Sequence, residues 1–318
     1  MNDPNLTPDH DPDAAHKSAT DPSSPDASAE AGVREFSPVT AEPRPRVFGR
    51  WAFWIVVFPF IFYLVGTMVG GYIEELRIMD LKGELDKPHH EEGNRPPEEE
   101  IDISTIEVDP DARFLFGLLP LGKNSYPYTY TFTIAVTTLL ILLVGWGYFR
   151  APLRISPLSF IVGVVGVVVW IGLSQLDRQF IGLGEMLSSG RPGFNPFEEL
   201  KANPRWMWQF IGIRFFGLVL VVPLVEEFFV RGFLIRYVDD PDWDEQPLGQ
   251  AKLAGWLSPT IYGLVAHLTE PLAAVAWFSL VSWLYKKTGS IWDCVVAHSI
   301  TNLLLGLYIV KFGQWHLW

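Results

Sequence analysis

The chain has 318 residues, a formal net charge of −12 and a mean hydropathy of +0.19, with 49% hydrophobic and only 19% charged residues. A soluble domain carries about 25% charged residues, so much of this chain is built for something other than water. The acidic balance lies in two segments, a net −4 over residues 1–50 and a net −8 over 73–126, and the remainder sums to zero. No basic surface exists to bind nucleic acid, which excludes that partner class. The one cysteine, Cys294, excludes an intramolecular disulfide and a cysteine-ligated zinc site.

Residues 1–50 hold eight Pro, many Asp, Ser and Ala, and no apolar run. They cannot bury enough surface to offset the entropy of ordering, so a disordered, acidic tail is expected. The tail lacks the basic start and apolar core of a secretory signal. Arg44, Arg46 and Arg50 close it, and residues 51–72 follow without a charge. About 20 apolar residues cross a bilayer core, so 51–72 reads as the first span. Within it, Gly66 and Gly70 form a GxxxG pattern that permits close helix contact.

Residues 128–149 and 155–176 are the second and third spans, both uncharged. A longer, imperfect fourth runs over 206–236. A short fifth covers 253–268, a sixth 272–285 and a seventh 290–310. The fold class is all-α: a polytopic transmembrane helix bundle of about seven spans, or eight at most, spanning residues 51–318 behind the tail. Arg44/Arg46/Arg50, Arg150/Arg154, Arg231/Arg236 and Lys286/Lys287 fall at alternate span ends, hence on one face. The positive-inside rule makes that face cytoplasmic, with the N-terminus. The acidic loop 73–126 and the loop 177–205 then lie on the other side of a plasma (inner) membrane. The lipid bilayer is thus one expected partner.

The first three spans contain no ionisable residue, whereas the last four contain Arg214, Glu226, Glu227, Arg231, His267, Asp293 and His298. Each costs at least about 2.5–3.5 kcal/mol at mid-bilayer, so such residues persist where they pair or line a working cavity. Glu227 and Arg231 are spaced i,i+4 and can neutralise one another. That pairing leaves Glu226, His267 and His298 without a local partner. At 1.5 Å per residue, Glu226 lies about 15 Å and His298 about 12 Å from the cytoplasmic helix ends, with His267 about 13–21 Å deep. His298 and Asn302 share a helix face. The simplest geometry is a cavity open to the cytoplasm with one carboxylate and two imidazoles at its floor.

These residues resemble a known family. Pro223-Leu-Val-Glu226-Glu227-Phe-Phe-Val-Arg231-Gly232 is similar to the EExxxR motif of the CAAX-protease and bacteriocin-processing (CPBP, or Abi) intramembrane endopeptidases. Thr288-Gly-Ser-Ile-Trp-Asp-Cys-Val-Val-Ala-His298-Ser-Ile-Thr-Asn302 is similar to their HxxxN motif. The middle FxxxH motif has His267 in place but Gly263, beside Tyr262, where the family has Phe. The resemblance covers roughly 206–311. Arg214 and Val221-Val222-Pro223-Leu224-Val225 further resemble the CAAX-prenyl-protease-related branch, which implies an exosortase-type sorting system as a partner.

The resemblance implies an endopeptidase acting on a membrane-associated protein or peptide substrate, without a cofactor. Glu226 would activate a water, His267 would help hold it, and His298 and Asn302 would stabilise the oxyanion. Glu227 and Arg231 would orient the site. A carboxylate in apolar surroundings is a stronger base, and N–H donors aimed at a developing alkoxide are worth about 3–4 kcal/mol each. Other readings stay open on the residues. Glu226, His267 and His298 could supply three ligands to a catalytic zinc, although no HExxH is present. Cys294 lies one turn before His298 and could act as a nucleophile. A transporter or a non-catalytic scaffold would also keep intramembrane charges, but no internal repeat supports the first.

Overall fold

A computed structural model describes residues 46–85, 112–187 and 193–318. The expected disordered tail, up to residue 45, and most of the acidic loop 73–126 lie outside the described residues. All seven expected spans are helical runs. They are α1 (Phe58–Leu85, led in by a π-turn at Phe53–Val57), α2 (Tyr126–Val144), α3 (Pro157–Leu176), α4 (204–239), α5 (Leu253–Ala266), α6 (Pro271–Thr288) and α7 (Ile291–Phe312). Four helical stretches are long and apolar enough to cross a membrane: Phe53–Leu81, Tyr126–Arg150, Pro157–Ile181 and Ile291–Phe312. The apolar α5 is shorter, at 14 residues. A helical bundle of membrane type is the result.

Several glycines of the spans lie at helix contacts. A Cβ on Gly66 would come within 2.6 Å of Thr133, and one on Gly70 within 3.1 Å of Thr129, so the GxxxG face of α1 is its seam with α2. On α3, Gly163 faces Ile300 and Ala297 of α7, and Gly166 faces Thr301 and Trp277. The first helix outruns its expected end at Tyr72. Glu74 and Arg77 neutralise each other across one turn, and the Glu74 carboxylate also accepts from the Ser125 backbone N–H (2.8 Å) and hydroxyl (2.5 Å) at the start of α2. Leu81 then buries against Phe114 and Leu121. Phe114 belongs to a small antiparallel hairpin, Arg113–Phe114 with Leu119–Pro120, and Leu121 follows it; the sequence did not announce this hairpin.

Pro223 and Pro259 each sit inside a helix, where a bilayer offers no water to the carbonyls they free. In α5, Pro259 cannot serve the carbonyl of Gly255, and the Ser258 hydroxyl donates to it instead at 2.8 Å. In α4, the run 204–239 is helical throughout but passes through π-turns at Gly217–Val221 and Phe228–Leu234. The Val222 N–H bonds the Gly217 carbonyl. The next N–H in that register would belong to residue 223, which is proline. The Leu218 carbonyl is therefore orphaned, and the Asn302 amide of α7 fills the vacancy at 2.9 Å.

Arg231 is buried at the level of Glu227, whereas Arg46, Arg150, Arg154 and Arg236 meet at one end of the bundle. Phe48 is fully buried there against Phe228 and Trp243. Its N–H and that of Gly49 donate to the Asp244 carboxylate, each at 2.8 Å, and its carbonyl accepts from Arg150 at 2.6 Å. Arg236 reaches the Gly232 and Gln246 carbonyls, and the Ser290 hydroxyl donates to the Arg154 carbonyl. Residues 46–49, inside the segment expected to be disordered, are thus packed. Arg46, Val47 and Phe48 clasp the loop after α4.

Candidate active site

Glu226 and Glu227 stand between the two π-turns of α4, at the level where α7 and α5 press on it. Successive helix residues point about 100° apart, so the neighbouring carboxylates face different helices. Glu227 is fully buried and faces α7: its Oε1 lies 2.9 Å from His298 Nδ1, and its Oε2 lies 2.8 Å from an Arg231 terminal nitrogen. Arg231 is equally buried, with its guanidinium 5.6 Å from the centre of the Phe278 ring. With Nδ1 taken by Glu227, only Nε2 of His298 can reach another molecule.

Glu226 faces α5. Its Oε1 accepts a hydrogen bond from the Tyr262 hydroxyl at 2.9 Å, and it is 6% exposed. No ion pair to Glu226 occurs among the described residues. His267 lies just beyond the end of α5, half-buried, with Nδ1 3.2 Å from the Gly263 carbonyl. Both imidazoles stand edge-on to one aromatic cluster: His267 on Trp170 at 5.3 Å, His298 on Trp277 at 4.7 Å, and Trp277 on Phe278 at 4.8 Å. Asn302 is one turn from His298 and is held to α4 through the Leu218 carbonyl. The structure thus brings Glu227, Arg231 and His298 into direct contact. It pairs Glu226 with Tyr262 and places His267 and Asn302 near them, His267 at the end of α5 and Asn302 on α7.

Residues 208–304 match a family model described as Rce1-like, type II CAAX prenyl endopeptidase. This segment is similar to a CAAX-protease-family domain. No curated protein and no solved structure matches the chain. The matched segment contains all six residues singled out from the sequence, Glu226, Glu227, Arg231, His267, His298 and Asn302.

Inside the matched segment, the missing Phe of the middle motif has a physical substitute. A Cβ on Gly263 would run into the Phe278 ring, so an aromatic from α6 occupies the space a side chain at 263 would take. Tyr262, the residue beside it, supplies the bond to Glu226 that sequence reasoning did not assign. The only signal for it was a phenol five residues before the motif histidine. Among the described residues no three His, Cys, Asp or Glu side chains form a group able to hold a metal ion. Cys294 is fully buried, its thiol directed to the Ser290 and Val281 carbonyls at 3.6 and 3.9 Å. Asp293 accepts from the Ser156 N–H and hydroxyl, which ties α7 to the start of α3. Arg214 is buried among aromatic rings, 4.5 Å from that of Tyr130.

Proposed function

We propose that the chain is an intramembrane endopeptidase that hydrolyses a peptide bond of a membrane-associated substrate, with Glu226 as the general base. The observation that carries this reading is the unequal use of the two carboxylates. Glu227 is committed to Arg231 and His298, whereas Glu226 has no ion-pair partner among the described residues and is free to take a proton. In the reaction, Glu226 removes a proton from a water as its oxygen bonds to the scissile carbonyl carbon. Negative charge collects on the carbonyl oxygen. His298, as the imidazolium whose Nδ1–H is held by Glu227, donates to it through Nε2–H, and the second N–H of the Asn302 amide is the other donor. His267 holds the water from the far side. The tetrahedral centre then collapses, and the proton taken by Glu226 passes to the leaving amine. Glu227 and Arg231 fix the imidazole of His298.

Glu226→Gln keeps size and hydrogen bonding and removes the base. Turnover should fall at least about a hundredfold while the fold and melting temperature hold, and activity in excess chelator should be unimpaired in the wild type. A Glu226→Gln enzyme with wild-type turnover would sink the mechanism. In the same reading, the end of the bundle bearing the basic clusters faces the cytoplasm of a cell whose plasma (inner) membrane holds the protein. A cysteine placed at Ser23 should then be protected from an impermeant thiol reagent in intact cells, and one at Ser104 should react. The reverse pattern overturns the orientation. An exosortase-type sorting system as a partner rests on the branch resemblance of Arg214 and 221–225. It would show as co-purification from the native membrane, and its absence there counts against it.

A further inference from the structure

An apolar groove of about 590 Å³ runs between α1, α4 and α5, walled by Phe60, Leu64, Phe229, Leu234, Leu257 and Tyr262 among others. Tyr262 belongs to the groove and to the site at once. Its ring forms groove wall, and its hydroxyl donates to Glu226. The ring is fixed from three helices, by Phe60 of α1 at 5.9 Å, Phe229 of α4 at 6.2 Å and Phe278 of α6 at 5.5 Å. Gly263 makes the last contact possible, because any side chain there would displace Phe278. A phenol braced in this way has little freedom, so its hydroxyl holds one carboxylate orientation and its ring closes the groove at one depth.

We propose that Tyr262 is the positioning residue of Glu226 and the specificity wall of the groove, and that the groove receives an apolar part of the same substrate. This rests on the reading of Glu226 as the base. The occupant is assigned from continuity: one side chain separates the groove from the carboxylate, so a chain lying in the groove ends next to the water that Glu226 activates. The walls offer nothing to a charged or strongly polar ligand. Apart from the Ser258 hydroxyl and that of Tyr262, the lining is apolar.

The two functions of Tyr262 separate by substitution. The probe is a set of quenched fluorogenic peptides bearing octyl, dodecyl or hexadecyl chains, presented to the full chain in detergent. Tyr262→Phe keeps the ring and removes the hydroxyl. It should lower kcat about tenfold or more, the worth of a hydrogen bond to a charged group, with KM and the ranking of chain lengths unchanged. Tyr262→Ala deepens the groove and should move the preference to a longer chain. Its melting temperature is recorded alongside, and Tyr262→Leu, which keeps more of the packing, should move the ranking the same way. Wild-type kcat in Tyr262→Phe overturns the positioning role. An unchanged ranking in both Tyr262→Ala and Tyr262→Leu overturns the specificity role. A wild type that cleaves no alkyl-bearing member better than the bare peptide overturns the occupant. Glu226→Gln is run beside them. If it retains full turnover, the base assignment has failed, whereas an inactive Glu226→Gln with a fully active Tyr262→Phe breaks only the present inference.

Discussion

The two sides of α4 at the level of the site are built on opposite principles. The Glu227 side is closed: one carboxylate is bound between a guanidinium and an imidazole against α7 with essentially no exposure. The Glu226 side meets α5 and an apolar groove, and its carboxylate is held by one phenol. Adjacent residues of one helix therefore carry charge for different purposes. One keeps two helices together in a medium that tolerates no bare charge. The other keeps a proton acceptor available. The difference also explains why the bundle can place a reactive carboxylate here at all, since the neighbouring pair leaves the local charge near balance without consuming Glu226.

The largest expected effect comes from breaking the closed side. Glu227→Gln strands Arg231, whose terminal nitrogens have no other partner in the buried site, and removes the acceptor of His298. Unpairing a buried ion pair costs about 3–5 kcal/mol, so detergent stability should fall steeply together with activity. The double change Glu227→Gln with Arg231→Gln should recover much of the stability and little of the activity, because His298 is still unanchored. Thermal melts and turnover of the three proteins decide it. A Glu227→Gln protein as stable as the wild type would mean that the two sides are not built differently.

Much of this contrast was legible in the sequence, and what was not has a common cause. The seven helical runs followed from apolar stretches, the first three of them uncharged, and the seam of α1 with α2 followed from Gly66 and Gly70. Glu227 with Arg231 followed from i,i+4 spacing, because helix geometry alone brings such residues together. The equal depth of Glu226 and His298 followed from counting rise per residue. The Tyr262 bond to Glu226, the seating of Phe278 over Gly263 and the capture of the Leu218 carbonyl by Asn302 did not follow. Each joins different helices, and no local period encodes which helices are neighbours. Length misled at two places. The first helix continues past Tyr72 because Glu74 and Arg77 cancel in place. Residues 46–49 pack rather than trail, because an acidic residue some 195 positions later in the chain receives their N–H groups.

That clasp gives the next effect in size and tests whether the basic end of the bundle is independent of the site. Asp244→Ala leaves the N–H groups of Phe48 and Gly49 unmatched at a largely buried position. At about 1–2 kcal/mol for each unsatisfied group, the lower part of the usual range because Gly49 is only half-buried, a loss of about 2–4 kcal/mol is expected. Truncation maps the same boundary. Removing residues 1–45 should leave the melting temperature unchanged, whereas removing 1–49 takes away Phe48, which packs on Phe228 directly after Glu227, and should lower it. Equal stability of the two truncations would show that the clasp carries no weight.

The smallest effect is the most discriminating, because it asks whether Asn302 belongs to the closed side, the open side or both. Its amide donates one N–H to Leu218, whose carbonyl is orphaned by the π-turn and by Pro223. Asn302→Ala should therefore cost about 1–3 kcal/mol as a purely structural defect, the penalty of one unsatisfied buried acceptor. The proposed chemistry asks more of Asn302, a second N–H for the developing oxyanion, and its loss should cut turnover by about a hundredfold or more with KM little changed. Pro223→Ala separates the two. It restores a backbone N–H at the position that would serve Leu218, so in the Asn302→Ala background it should return part of the lost stability. It restores nothing to the oxyanion, so turnover should stay low. Recovery of turnover in step with stability would place Asn302 wholly with the scaffold that joins α4 to α7, and His298 would then be left as the single side-chain donor to the reaction.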